Sequence, residues 1–368
     1  MLSAEEFAAW FRLLETPGVG RGTCRRLLAA CGSPQAVLAT PEAGLQALVG
    51  ASVAQALKAV PADFEPRLAA ALAWLSGASD RQAIAVGDPA YPPQLLQTAD
   101  PPLLLYVQGQ AGHLLGRSVA LVGSRHATPQ GLANARAFGA ALSAQGLVVV
   151  SGLAQGIDAA AHEGALEGVA GTVAVVGTGL DRVYPASHRA LAQRIAAQGA
   201  LVSEFAPGTP PLPEHFPQRN RIIAGLSLGT LVVEAALQSG SLITARLASE
   251  AGREVFAIPG SIHAPQAKGC HALLKQGAKL VETAQDIVEE LGPGMRQAAL
   301  PLGNAGEVAT AHDDPLLAAL GDDPVTLDAL MARTGCSADA LMAQLMTLEL
   351  DSHVVRLPGG LYQRFRQG

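Results

Sequence analysis

Between residues 118 and 291, short apolar runs rich in β-branched residues alternate with helix-length segments, and that alternation leaves few folds open. The runs fall at 119–122, 147–151, 172–176, 200–203, 230–233, 255–258 and 279–281. They are continuously apolar, so each is expected to be a strand buried on both faces, which means a mainly parallel sheet covered by helices. Thr128, Pro129 and Gly146 mark the N-cap, the first position and the end of a helix over 129–145. The strands run out into small or polar residues: Gly123-Ser124-Arg125, Ser151-Gly152 through Gly156, Gly177-Thr178-Gly179, Ser203-Glu204, Glu234 and Pro259-Gly260. In a doubly wound sheet these carboxyl ends line one crevice where ligands bind. Glycines there let a backbone approach an anion closely, and helix N-termini supply N–H groups.

The segment from Phe216 to Ser227 places Arg219, Asn220 and Arg221 at what reads as the start of a helix, with no carboxylate in that turn. Cations there oppose the helix dipole unless an anion is bound nearby. Either the two arginines hold phosphate, for which the guanidinium fork is suited, or the fold pairs them with Glu204 and Glu234. Phe216 is open to two uses, stapling the helix start or stacking on a base. Arg125 after the first strand and Lys268 in the loop after the last long strand complete a row of four cations. On these strand assignments all four project from one side of the sheet, an arrangement that fits a polymer better than a mononucleotide.

The flanks differ from the centre. Residues 1–75 read as short helices, with Gly18-Val19-Gly20 between two helical runs as a hairpin that could offer N–H groups to a DNA phosphate or serve as a protein contact. Apolar runs at 83–86 and 103–107, punctuated by prolines, are expected to add edge strands. A linker is expected at 292–312, and 313–368 read as three helices and a hairpin, a winged-helix pattern. Its presumed recognition helix carries Asp339 and Glu349 and no arginine or lysine, which favours a protein contact.

At 368 residues, 49% of them hydrophobic, the chain suggests two or three packed domains. The 25 Lys and Arg stand against 31 Asp and Glu, for a net charge of −6, with the acidic excess after residue 292. Nucleic acid would therefore have to bind a focused central pocket. The acidic start and the lack of roughly 18 to 20 consecutive apolar residues lead us to expect a soluble cytoplasmic protein without a membrane segment. Four scattered cysteines indicate neither zinc nor disulfides, and Cys24 and Cys31 are placed on one buried helix face.

Catalytic signals are weak. There is no Walker-type phosphate loop, Arg182 stands where a dinucleotide fingerprint needs a third glycine, and the histidines lack metal spacing. Asp158 and His162, one turn apart, read as a structural pair. No cofactor or catalytic set is expected.

Taken jointly and in order, Val122-Gly123-Ser124-Arg125, Ser151 to Asp158 with His162, Gly177 to Leu180 with Tyr184-Pro185, Ser203-Glu204, Phe216 to Ser227, Val233 to Ala235 with Ser239 to Ala245, and Pro259-Gly260 resemble the DNA-processing protein A (DprA/Smf) family. The resemblance spans residues 118–281, with Asp88, Tyr91-Pro92 and Asp100 to Pro102 as lead-in. It implies an extended Rossmann-like, mainly parallel α/β sheet over 76–291, flanked by a small N-terminal helical domain (helix-hairpin-helix or SAM-like, 1–75) and a C-terminal winged-helix-like domain (313–368). It further implies a non-catalytic homodimer that binds single-stranded DNA, protects it and helps load RecA recombinase during natural transformation. Carried over by position, Gly123, Ser124, Arg125, Phe216, Arg219, Asn220 and Arg221 would contact DNA, and Ser151, Gly152 and Gly156 would line the same pocket. Some relatives carry a lysine after the Tyr-Pro pair; here Ala186-Ser187-His188 follow, so the basic ring is incomplete, which implies weaker binding. The alternative class is a nucleotide-hydrolysing enzyme of a related Rossmann-like family, with Glu234 as its carboxylate.

Overall fold

The computed structural model describes residues 2–292, 315–321, 324–350, 353–357 and 359–364. Six helices come first: α1 (Ala4–Leu14), α2 (Arg21–Cys31), α3 (Pro34–Ala39), α4 (Glu42–Val49), α5 (Ala51–Lys58) and α6 (Phe64–Ser76). The Ser3 and Glu6 capping box starts α1, and its buried face carries Phe7, Trp10, Phe11 and Leu13. On α2, Cys24 is buried while Cys31 is only partly so, and burial pushes the Cys24 thiol up to about 11.

A nine-stranded sheet follows. Its strands are β1 (Arg81–Ala85), β2 (Leu104–Gly109), β3 (Ser118–Val122), β4 (Val148–Ser151), β5 (Thr172–Val175), β6 (Ala200–Ser203), β7 (Gly229–Val232), β8 (Glu254–Ala257) and β9 (Lys279–Leu280). The order is β1-β2-β6-β5-β4-β3-β7-β8-β9, parallel from β6 to β9 and antiparallel at the β1 and β2 edge. The two proline-punctuated runs thus do add strands at one edge of the sheet, β1 outermost and β2 between it and β6. The crossovers are α8 (Pro129–Ala144), α9 (Ile157–Ala165), α10 (Arg189–Gln198), α11 (His215–Leu226), α12 (Ser241–Glu250) and α13 (Lys268–Lys275), with α7 (Pro93–Leu96) between β1 and β2 and α14 (Ala284–Glu290) after β9. Thr128 caps α8 as expected, its hydroxyl accepting from Gly131 N at 3.0 Å.

Alternate strand residues serve opposite faces. Val119 and Leu121 join Phe138, Leu142, Ala161 and Ile287 in one core, while Ala120 and Val122 join Ile222, Ile223, Ala245 and Cys270 in the other. A third cluster fuses the first six helices to the antiparallel edge: the rings of Phe7 and Trp74 lie edge-on to Tyr106 at 6.1 and 6.2 Å. The core therefore continues across residue 75.

The last described residues form α15 (Pro315–Leu320), β10 (Val325–Thr326), α16 (Leu327–Thr334), α17 (Ala338–Leu350), β11 (Val354–Leu357) and β12 (Leu361–Arg364). They enclose their own core around Leu330, Leu341, Leu345 and Tyr362 and build the expected winged-helix pattern. The linker expected at 292–312 lies outside the described residues apart from Gly292. Among the described residues, no helix is long and apolar enough to cross a membrane.

Candidate functional site

Strand order locates the crevice before any side chain is considered. From β3 the chain winds one way through β4, β5 and β6, and from β7 the other way through β8 and β9. Where the winding reverses, the loops leaving the two neighbouring strands diverge and open a space at their carboxyl ends. A cleft of about 610 Å³ lies there, lined by residues 122–126 at and after the end of β3, Ala154 and Asp158 after β4, Tyr184 after β5, the first turns of α11, and Ala236, residues 238–241, Ile243 and Thr244 at the start of α12.

Arg125 leaves β3 into solvent, and its guanidinium lies 5.8 Å from the centre of the Phe216 ring. Among the described residues it has no carboxylate partner. Phe216, half-buried in the first turn of α11, meets the ring of Tyr184 at 5.5 Å, and Tyr184 is 49% exposed. The cation and the two rings, tilted 45° to one another, form a cluster in the cleft lining, a surface that can receive both a phosphate and the π-face of a base.

Arg219 is buried, 6% exposed. One guanidinium nitrogen, Nη2, donates to the Gly152 carbonyl at 3.1 Å and stands 3.7 Å from Asp158 Oδ2. Burial works against the charge of both: it raises the Asp158 carboxyl, opposed by Arg219 and the amides of Ala154 and Gly152, and it lowers the Arg219 guanidinium, which keeps its proton nonetheless. The guanidinium lies so close over Gly152 that a Cβ there would stand 1.8 Å from Nη1. Gly156, at φ +80°, brings the next turn to the loop after β3, where a Cβ would meet Ser124 O at 2.3 Å. Asn220, also buried, donates to Gly240 O at 3.4 Å and joins α11 to the start of α12.

Not every expected residue reaches the cleft. The helix begins at His215, so Arg219, Asn220 and Arg221 sit in its second turn, beyond the first turn in which the dipole is felt. One step along the helix from Asn220, Arg221 turns toward the N-terminal helices. It donates to both oxygens of Glu204 and to Asp100 O at 2.7 Å, and its Nε lies 3.2 Å from Asp100 Oδ2. Arg21 and Arg25 on α2 bind the same Asp100. The pairing weighed against phosphate binding therefore occurs at Arg221, with Glu204, whereas Arg219 finds Asp158 and not Glu234. Lys268, exposed at the start of α13, donates to the Ile262 carbonyl away from the cleft. The expected row of four cations is thus two, Arg125 and Arg219. The hydroxyl of Ser151 donates to Leu121 O at 2.6 Å, which ties β4 to β3 beneath the cleft.

The Asp158 and His162 pairing is also corrected. Asp158 faces Arg219, whereas His162 Nδ1 meets the Thr172 hydroxyl at 2.7 Å. That hydroxyl already donates to Val149 O at 2.6 Å, so it accepts from Nδ1–H and leaves the buried Nε2 without a partner. Glu234 turns under α8, its carboxylate accepting from Thr128 N at 2.9 Å and from the Thr128 hydroxyl at 2.5 Å. It does not line the cleft.

Two lining features escaped the reading of the residues alone. Tyr184 stood in a matched motif without a role, and the partnership of Asp158 with a residue 61 positions away has no local signal. Among the described lining residues Arg125 and Arg219 outweigh the one carboxylate, Asp158, so a chain of net charge −6 still offers a positive cleft.

Comparison with known proteins gives the following. The family described as DNA recombination-mediator protein A matches residues 82–292, and the DprA winged helix domain matches residues 301–360. Protein Smf of Escherichia coli is 44% identical over 284 residues, which cover 75% of each chain. The X-ray structure of DNA processing protein A from Streptococcus pneumoniae aligns with a TM-score of 0.63 at 35% identity, over 80% of this chain and 99% of that one. The protein of that name from Helicobacter pylori aligns with a TM-score of 0.53 at 30% identity, over 57% of this chain and 95% of that one; its structure is described as giving insight into a unique single-stranded DNA binding mode.

Proposed function

The chain belongs to the DNA recombination-mediator protein A family, and from that premise we propose that it binds single-stranded DNA in the cleft between the ends of β3 and β7. The observation that carries this reading is the cluster of Arg125, Phe216 and the half-exposed Tyr184 beside the buried Arg219. A base laid on the aromatic rings brings its backbone phosphate to Arg125, and stacking tolerates any base. Gly123, Ser124, Gly152, Gly156 and Asn220 shape the surroundings of that contact. A duplex keeps its bases stacked on one another and has no ring face to offer, so the same surface selects single strands.

On this reading the protein is no enzyme. It holds incoming DNA in the cytoplasm during natural transformation, protects it and helps RecA recombinase assemble on it, acting as a homodimer. The first 75 residues, the sheet region 76–291 and the winged-helix region 313–368 are its three working parts, with 292–312 as linker.

The test is a titration of the protein with single-stranded and duplex oligonucleotides of one sequence at two salt concentrations. The single strand should bind at least about tenfold more tightly, with affinity falling as salt rises in proportion to the few phosphates engaged. Equal affinity for the duplex contradicts the proposal.

A further inference from the structure

Asp158 is, among the described residues, the one carboxylate lining the cleft, and the proposed contact with DNA makes no use of it. A carboxylate there repels a polyanion, so its place needs a reason. Three oddities of the neighbouring loop supply one. Leu153 is buried, 1% exposed, yet held at φ +59°, a left-handed conformation that a leucine adopts at a cost. Position 152 admits no side chain because the Arg219 guanidinium fills the space. That guanidinium is itself nine-tenths buried with its Nε unpartnered, so little in the fold fixes it except Gly152 O and Asp158.

One oxygen ties these together. Asp158 Oδ2 accepts from Gly152 N at 3.1 Å and from Ala154 N at 3.3 Å, bracketing Leu153, and the same atom lies 3.7 Å from Arg219 Nη2. His188 Nδ1 meets Leu153 O at 3.0 Å from the other side. We propose that Asp158 is the positioning residue of the DNA cleft: through this one oxygen it holds the turn at Gly152 to Ala154, and with it the direction in which Arg219 presents its charge to a phosphate. The inference rests on the reading that the cleft takes single-stranded DNA.

The sign of a single substitution separates this role from a plain charge effect. Asp158→Asn removes a negative charge from the cleft, which by charge alone tightens the binding of DNA. The amide oxygen that remains can still accept from the turn, but it offers the guanidinium no anion, so the hold on the direction of Arg219 is lost and binding weakens. Positioning is the larger effect because a buried hydrogen-bonded charge loses its partner.

The experiment measures the affinity of the full chain for oligo-dT by fluorescence anisotropy for wild type, Asp158→Asn, Arg219→Ala and the double variant, with thermal melting of each. We expect Asp158→Asn to bind about tenfold more weakly than wild type and to add nothing in the Arg219→Ala background. Binding at or above wild-type strength overturns the proposal, as does an undiminished loss in that background. If Asp158→Asn fails to fold, Gly152→Ala takes its place: it removes no charged residue but displaces the guanidinium, so it should show the same dependence on Arg219, and wild-type affinity overturns the proposal. Arg125→Ala and Phe216→Ala serve as controls, since unchanged affinity in both sinks the DNA reading itself, whereas their loss beside an intact Asp158→Asn sinks the positioning role alone.

Discussion

Arg219 and Arg221 differ by two positions and by everything that surrounds them. Side chains two apart on a helix face different ways, so Arg219 points under the cleft and Arg221 toward α2. In the sequence they are indistinguishable, because the carboxylates that separate them, Asp158, Asp100 and Glu204, arrive from three distant segments. Arg221→Ala should leave the half-buried Glu204 with Arg21 alone, at 3.6 Å, and lower stability by about 2 kcal/mol, while the salt dependence of DNA binding stays that of wild type. A shallower salt dependence in a normally stable variant would restore Arg221 to the DNA contact. His162 carries a second residue-level expectation. Burial, with Arg219 and His188 nearby, lowers its imidazole from 6.5 to about 3. The unfolded chain takes up this proton near 6.5 and the folded chain does not until about 3, so acid favours unfolding across that window. Stability should fall by up to about 1.4 kcal/mol per pH unit below 6.5 through this group. Denaturant melts of wild type and His162→Gln between pH 4 and 7 should therefore converge as pH falls, and parallel curves would contradict the assignment.

At the scale of elements, the strands were legible in the sequence and the helix start was not. Buried parallel strands announce themselves as apolar runs, and each central strand lies within one residue of its expected bounds. The start of α11 follows the turn at Pro213 and Glu214, a segment with no side-chain cap, so the arginines look N-terminal when they stand a turn further in. Glu234 shows the same limit. It reads as a polar strand end, open to a catalytic role, and becomes the clamp of α8 only once Thr128 is brought beside it by the pairing of β3 with β7. The cluster of Arg21, Arg25, Asp100, Glu204 and Arg221 fastens α2 to α11, the helix that carries Phe216 and Arg219. The pairs on α2 are about a third exposed and so contribute little each, but as a network they tie the N-terminal helices to the helix that lines the cleft.

At the scale of the whole molecule, the reversal of strand order places the site, and the fused core explains the flank. The position of the crevice follows from topology, which the order of motifs along the chain suggests but cannot fix, since strand order is decided by which crossovers pack on which face. The N-terminal helices read as a separate unit because their helical pattern changes abruptly near residue 76, yet their aromatic core needs Tyr106 of β2 to close. The central claim is that Arg125 and Phe216 form the face on which a single strand lies. Its most direct test is the affinity of Arg125→Ala and Phe216→Ala for oligo-dT beside wild type. A loss of about tenfold or more is expected in each, with the Arg125 variant also less sensitive to salt by about one phosphate contact; wild-type affinity and salt dependence in both would show that the strand lies elsewhere.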